Sequence, residues 1–203
     1  MPILTFFVIF AVWLMYEIKK STKKSEQKFN DFLEEEHRAD SVRRQNIDNL
    51  AYLIIPYDTL PFDEAAAAPI AAYQNTLLAL KEKRILNLTG YTNTELKLQY
   101  GAPNLDLLTE YDNNFTTLAR NVARWGDALY EQERLTEAKQ VLEYGIQIQT
   151  DVSSNYITLA RIYLAEERID DIYTLMEQAG SLKTLMKDSI IKQLQQLLSA
   201  TDV

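Results

Sequence analysis

Hydrophobic and polar positions follow several different rules along this chain. From Ile3 to Tyr16 (ILTFFVIFAVWLMY) no residue is charged, and Glu17 is the first interruption. Eighteen helical residues reach about 27 Å, close to the roughly 30 Å of a bilayer's hydrocarbon core, so the pattern predicts a transmembrane anchor over 1–18. Trp13 and Tyr16 are amphipathic rings suited to a membrane interface. Glu17-Ile18-Lys19-Lys20 follows where a cleaved signal peptide would need a small-x-small site, which argues for an uncleaved anchor. Lys19, Lys20, Lys23, Lys24 and Lys28 all lie on its C-terminal side. By the positive-inside rule the N-terminus is then outside and residues 19–203 are cytosolic.

Residues 19–50 read as a charged, helical stalk. Phe29, Phe32 and Leu33 make a short apolar stripe at helical spacing, suited to a second copy or to the membrane surface. The lysine cluster suits anionic headgroups. At 51–62 (AYLIIPYDTLPF) two prolines exclude helix, and the apolar content predicts an extended strap packed on the domain. Residues 63–112 read as an N-terminal helical cap. A helix is expected from near Asp63 through Lys83 on the strength of its alanines, then a shorter one opened by the Thr92-x-x-Glu95 capping box and broken at Gly101-Ala102-Pro103. From Asn113 the spacing is helical in long stretches, giving helices over 113–131, 135–149, 153–166, 169–179 and 182–199.

A 34-residue offset runs through this last region, 113–203, in eleven pairs. Val122 and Tyr156, Trp125 and Leu159, Gly126 and Ala160, and Leu129 and Tyr163 stand in register. So do Glu133 and Glu167, Arg134 and Arg168, Leu135 and Ile169, Ala138 and Ile172, Leu142 and Met176, Gly145 and Ala179, and Val152 and Met186. A fixed period of this length marks a helix-turn-helix repeat. On these positions the chain resembles tetratricopeptide repeats, with two units over about 119–186. Ile172 replaces a small residue of that family, and Thr150 stands where its proline is usual. Two units are fewer than the three such arrays normally need, so both ends require covers. Leu182, Leu185, Met186, Ile190, Leu194, Leu197 and Leu198 form a stripe suited to a C-terminal capping helix. The expected class is all-α: a transmembrane helix, a stalk, and a helical-hairpin solenoid with its cap. As a whole the chain resembles small bacterial membrane proteins with one N-terminal span and a cytosolic repeat domain.

Composition narrows the chemistry. The 203 residues contain no Cys, which removes disulfides and thiol chemistry. Residues 1–44 hold eight Lys or Arg against seven Asp or Glu, while 45–203 hold thirteen against twenty-two. A net of −9 on the folded part argues against nucleic acid as a partner. The only histidine, His37, sits in the stalk without further ligands, so no metal is expected. The sequons at Asn87 and Asn114 would go unused in a cytosolic domain. There is no Gly-rich phosphate loop, nucleophile elbow or paired His-Asp arrangement, so neither enzyme activity nor a cofactor is expected.

The resemblance implies that the first helix of each unit lines a concave face. Arg120, Ala123, Arg124, Asp127 and Tyr130 would come from one unit, and Ile157, Arg161 and Leu164 from the next. Three arginines and a tyrosine could grip an acidic or C-terminal peptide by charge-assisted bonds. The family's chaperone-binding members clamp a terminal carboxylate with lysine and asparagines. Ala123 and Asp127 stand at those positions here, so that function is not expected. Alternatively the arginines pair with local acids such as Asp127 and Glu131, or the 51–62 strap fills the groove. The functional expectation is a membrane-anchored, non-catalytic adaptor for a protein or peptide partner. The alternative is a self-associating structural protein, a homo-oligomer or a stabilising subunit of a membrane complex.

Overall fold

The computed structural model describes residues 2–200, without the side chains of 2–5, 7, 9 and 12. Among the described residues all regular structure is helical: α1 (Pro2–Asp40), α2 (Ile70–Leu78), α3 (Asn93–Tyr100), α4 (Leu105–Glu131), α5 (Leu135–Gln147), α6 (Ser153–Ala165), α7 (Ile169–Gly180) and α8 (Lys187–Ser199). The all-α class is therefore observed. Among the described residues no helix is long and apolar enough to cross a membrane. The undescribed side chains fall in the apolar run expected to span, and Met1 lies outside the described residues altogether.

Contacts divide the chain into two compact units. One is built from the chain up to Asn46 with Thr92–Leu105, and the other from Ile47–Tyr91 with the chain from Asp106 on. The 63–112 segment, expected as one cap, is thus shared between them.

In the first unit α1 runs unbroken for 39 residues, about 58 Å. His37 and Arg38 in its last turn complement the negative end of the helix dipole. The end of α1 rests on α3. Ala39 is fully buried there, and Lys97 Nζ reaches Glu36 at 2.9 Å and Asp40 at 2.7 Å. The Thr94 hydroxyl also donates to Glu36. That bond first, and Lys97 second, hold the Glu36 carboxyl below its usual range. The capping box forms as expected: Thr92 Oγ1 accepts from the Glu95 amide at 3.2 Å, and Glu95 accepts from the Thr92 amide at 2.7 Å. Gly101 (φ 90) is required, because a Cβ there would lie 2.3 Å from the Arg43 carbonyl oxygen. Fully buried Asn104 donates to the carbonyls of Gln45 (2.8 Å) and Tyr100 (2.7 Å) and accepts from Arg44 Nε at 2.9 Å.

The second unit holds the main core, around Trp125, Leu129, Leu142, Tyr156, Leu159 and Ile172. Helix α2 is shorter than expected. Pro69 has no N–H and pushes Ala68 out of helical geometry, so the helix opens only at Ile70, and alanine propensity does not carry it back to Asp63. Helix α4 starts earlier than expected, directly after the 3-10 turn Ala102–Asn104. Helix α8 starts later, at Lys187, and Leu185, counted in the capping stripe, is wholly exposed.

The 34-residue offset recurs in the backbone. Leu135 and Ile169 open α5 and α7 at that spacing, and Ser153 and Lys187 open α6 and α8. The turns match as well: Glu133 and Glu167 both take φ 59, in the left-handed region. The next amides, Arg134 and Arg168, then bond to Leu129 and Tyr163 carbonyls at 3.0 and 2.8 Å. Each arginine pairs three residues on, with Glu137 and Asp171. Helix α8 packs on α6 and α7 through buried Ile190 and Leu194 and leaves Lys192 and Gln196 outward, a polar end to the stack.

The strap is irregular, as two prolines require, with a turn where the Thr59 and Leu60 amides bond to the Pro56 carbonyl. Phe62 stacks on Trp125 (centroids 4.9 Å apart), Tyr144 donates to the Ile54 carbonyl at 3.4 Å, and Gln140 to that of Thr59.

Candidate functional site

Helices α4 and α6 are tied by one polar bond: the Thr158 hydroxyl donates to Asp127 Oδ1 at 2.6 Å. Beside it lies a cavity of about 410 Å³ lined by Asp127, Tyr130, Glu131, Ser154, Ile157, Thr158, Arg161 and, from α8, Gln193. The expected site residues divide accordingly. Asp127, Tyr130, Ile157 and Arg161 meet at the cavity. Arg120, Arg124 and Leu164 belong to the same two helices but do not line it, and Ala123 is fully buried, so it presents nothing to a ligand.

Charge pairing separates the arginines into two groups. Arg134 and Arg168, in the inter-helix turns, are held by Glu137 and by Asp171 and Glu166. These bonds raise both guanidinium pKa values, through Glu137 for Arg134 and through Asp171 first for Arg168. Arg120, Arg124 and Arg161 are exposed, and among the described residues none has an acid within the 4.0 Å of an ion pair. The expected pairing with Asp127 and Glu131 is therefore not formed. Asp127 instead accepts from the Thr158 hydroxyl. The strap does not fill the cavity either. No strap residue lines it, and Phe62, Thr59 and Ile54 are engaged with Trp125, Gln140 and Tyr144.

Sequence reasoning passed over Ser154 and Thr158, although the period signals both. Thirty-four residues after Arg120 and Arg124, they hold in α6 the register positions of those arginines in α4. Glu131 enters the sequence reading only as a partner for an arginine, and Gln193 becomes adjacent only through the docking of α8.

Two other cavities are less open to a partner. One, of about 490 Å³, lies between strap residues and Leu80–Ile85, and two of its three cations, Lys81 and Arg84, are already engaged. Arg84 holds Asp48 at 3.1 Å and covers Tyr52, and Lys81 sits over Tyr57. The other, of about 460 Å³, is crossed by Asn87, whose amide donates to the Ile148 carbonyl at 3.2 Å. Asn114, the other sequon asparagine, donates to the Arg84 carbonyl at 2.9 Å. Among the described residues there is no group of three or more acids or histidines placed to hold a metal, and His37 is exposed on α1. No protein-family model matches the chain, and neither does any curated protein or solved structure.

Proposed function

We propose that this chain is a membrane-tethered, tetratricopeptide-like interaction module without catalytic activity. In this reading α1 anchors it through residues 1–18, and the α4–α6 face recruits an acidic or C-terminal segment of a partner protein on the cytosolic side. The observation that carries the reading is the set of three exposed, unpaired arginines, Arg120, Arg124 and Arg161, in a part of the chain whose net charge is −9. An acidic fold gains nothing from leaving three cations on two neighbouring helices without partners. A carboxylate-bearing peptide would supply those partners, while Tyr130, Ser154 and Gln193 offer hydroxyl and amide groups to its backbone.

The test is in-cell crosslinking and capture by the full-length protein, against the triple variant Arg120→Glu, Arg124→Glu, Arg161→Glu. Far-UV circular dichroism should stay unchanged, since none of the three holds an internal ion pair. A partner retained by the native protein should be lost by the variant. Each charge-assisted bond removed costs about 1.5–3 kcal/mol, ten- to more than a hundredfold in Kd. Equal capture by both proteins would sink the groove assignment.

A further inference from the structure

Helix α1 carries a seam from which every charge is absent. Met15, Ile18, Thr22, Ser25, Phe29 and Phe32 are spaced alternately three and four residues apart, the a and d positions of a heptad. Between residues 15 and 32 eight positions are charged, from Glu17 to Asp31. Of the seven possible heptad phases, each of the other six puts at least one of these charges on the stripe; this one puts none there. Five exposed lysines therefore surround a seam that none of them enters.

The seam is also unsatisfied in the single chain. Met15 is 72% exposed, Ile18 57%, Phe29 60% and Phe32 52%. Its polar centre is prepared for contact: the Thr22 hydroxyl donates to the Ile18 carbonyl at 3.0 Å, so it needs no water there. The seam has a defined end, because Glu36 is taken by Thr94 and Lys97 and Ala39 is buried.

We infer that α1 pairs in parallel with α1 of a second copy along this seam. The charges that flank it fit that partner. In a parallel pair the residues meeting across the edges are Leu14 with Lys19, Ser21 with Glu26, and Lys28 with Leu33. No lysine faces a lysine, and Lys20, Lys23 and Lys24 fall on the outer positions. The parallel direction rests on the membrane-tether reading, which puts both apolar ends in one bilayer. Pairing puts two copies of the α4–α6 face in one assembly, so a partner with two acidic segments gains from the second attachment being intramolecular.

The chain has no cysteine, so single-cysteine variants report without background. Full-length Thr22→Cys, Ser25→Cys, Lys20→Cys and Lys24→Cys are oxidised mildly in native membranes and run without reductant. Disulfide dimers are expected at positions 22 and 25, several-fold above those at 20 and 24. No dimer at any position, equal yield at all four, or preference for 20 and 24 would each overturn the proposal. So would dimer at only one seam position, the result of an antiparallel pair. As a second measurement, Ser25→Lys should turn the dimer into monomer by light scattering in detergent, while Gln27→Lys should not. Dimer surviving Ser25→Lys also overturns it. Alkaline extraction reports on the tether and the triple arginine variant on the groove, so the failure of either reading is separate from failure of the seam.

Discussion

Gly145→Ala is the sharpest test of how α5 and α6 approach each other. A Cβ at Gly145 would lie 2.2 Å from Asn155 Oδ1, 2.7 Å from its Cγ and 2.8 Å from its Nδ2. Asn155 cannot step aside cheaply, because it is fully buried and its Nδ2 donates to the Leu142 carbonyl at 2.9 Å. Displacing it breaks a buried hydrogen bond, at about 1–3 kcal/mol, and overpacks the contact, at about 1–3 kcal/mol more. The gain from replacing glycine inside a helix is about 1 kcal/mol. The balance is a loss of about 3 kcal/mol, or about 6–12 °C in Tm for a chain of this length. Thermal unfolding of the full-length protein in detergent, followed by far-UV circular dichroism, measures it. Gly180→Ala is the matched control, since its new Cβ would meet nothing closer than Ile191 Cδ1 at 3.9 Å, and its Tm should hold or rise. The double variant Gly145→Ala, Asn155→Ala should be no less stable than Asn155→Ala alone, because the methyl enters space the amide has left. A Gly145→Ala protein as stable as the native one would refute the close approach.

Two further outcomes follow from local geometry. Glu133→Gly should raise stability by about 0.5 kcal/mol, since it removes left-handed strain of about 1–2 kcal/mol at φ 59 and costs about 0.5–1 kcal/mol of chain entropy; a lower Tm would count against the turn geometry. Burial pushes the Tyr156 hydroxyl up to about 12, above an ordinary value of 10.0, while it donates to the Thr150 carbonyl at 3.0 Å. A raised folded pKa means stability is fully present below pH 10 and is lost as pH rises toward 12. Tyr156→Phe should be less stable at neutral pH but lose less between pH 10 and 12, and parallel alkaline denaturation curves would contradict this.

How far the sequence could be read depended on whether the deciding contact was local. The helices from α5 to α7 and the capping box are set by spacing within a turn or two, and they fall close to where the pattern puts them. The 34-residue pairs even carry the packing logic. Gly145 faces Asn155 in one place, and their counterparts are buried Ala179 and exposed Ser189, so a larger small residue is matched by a smaller neighbour. Misses occurred where a distant or single residue decides. Pro69 overrode four alanines, and Leu185 lost its place in the stripe because α8 begins two residues later. The strap's seat on Trp125 and Tyr144 depends on residues more than sixty positions away, which no local pattern reports. At the candidate site, the resemblance to the repeat family put Asp127, Tyr130, Ile157 and Arg161 on one face, and the four meet at one cavity. The resemblance said nothing of the Thr158 bond that takes Asp127 away from the arginines.

The tie made by Asn104 also has a temporal side. Arg44, its partner, precedes it by 60 residues, and Lys97 follows Glu36 by 61. A ribosome adding about 5–20 residues per second delivers the end of α1 some 3–12 s before α3 and Asn104 exist. For that interval Ala39, fully enclosed in the finished protein, is a surface residue, and Glu36 and Asp40 have no lysine. The nascent α1 therefore stands uncovered at its C-terminal end for those seconds, and closure of the first unit comes afterwards.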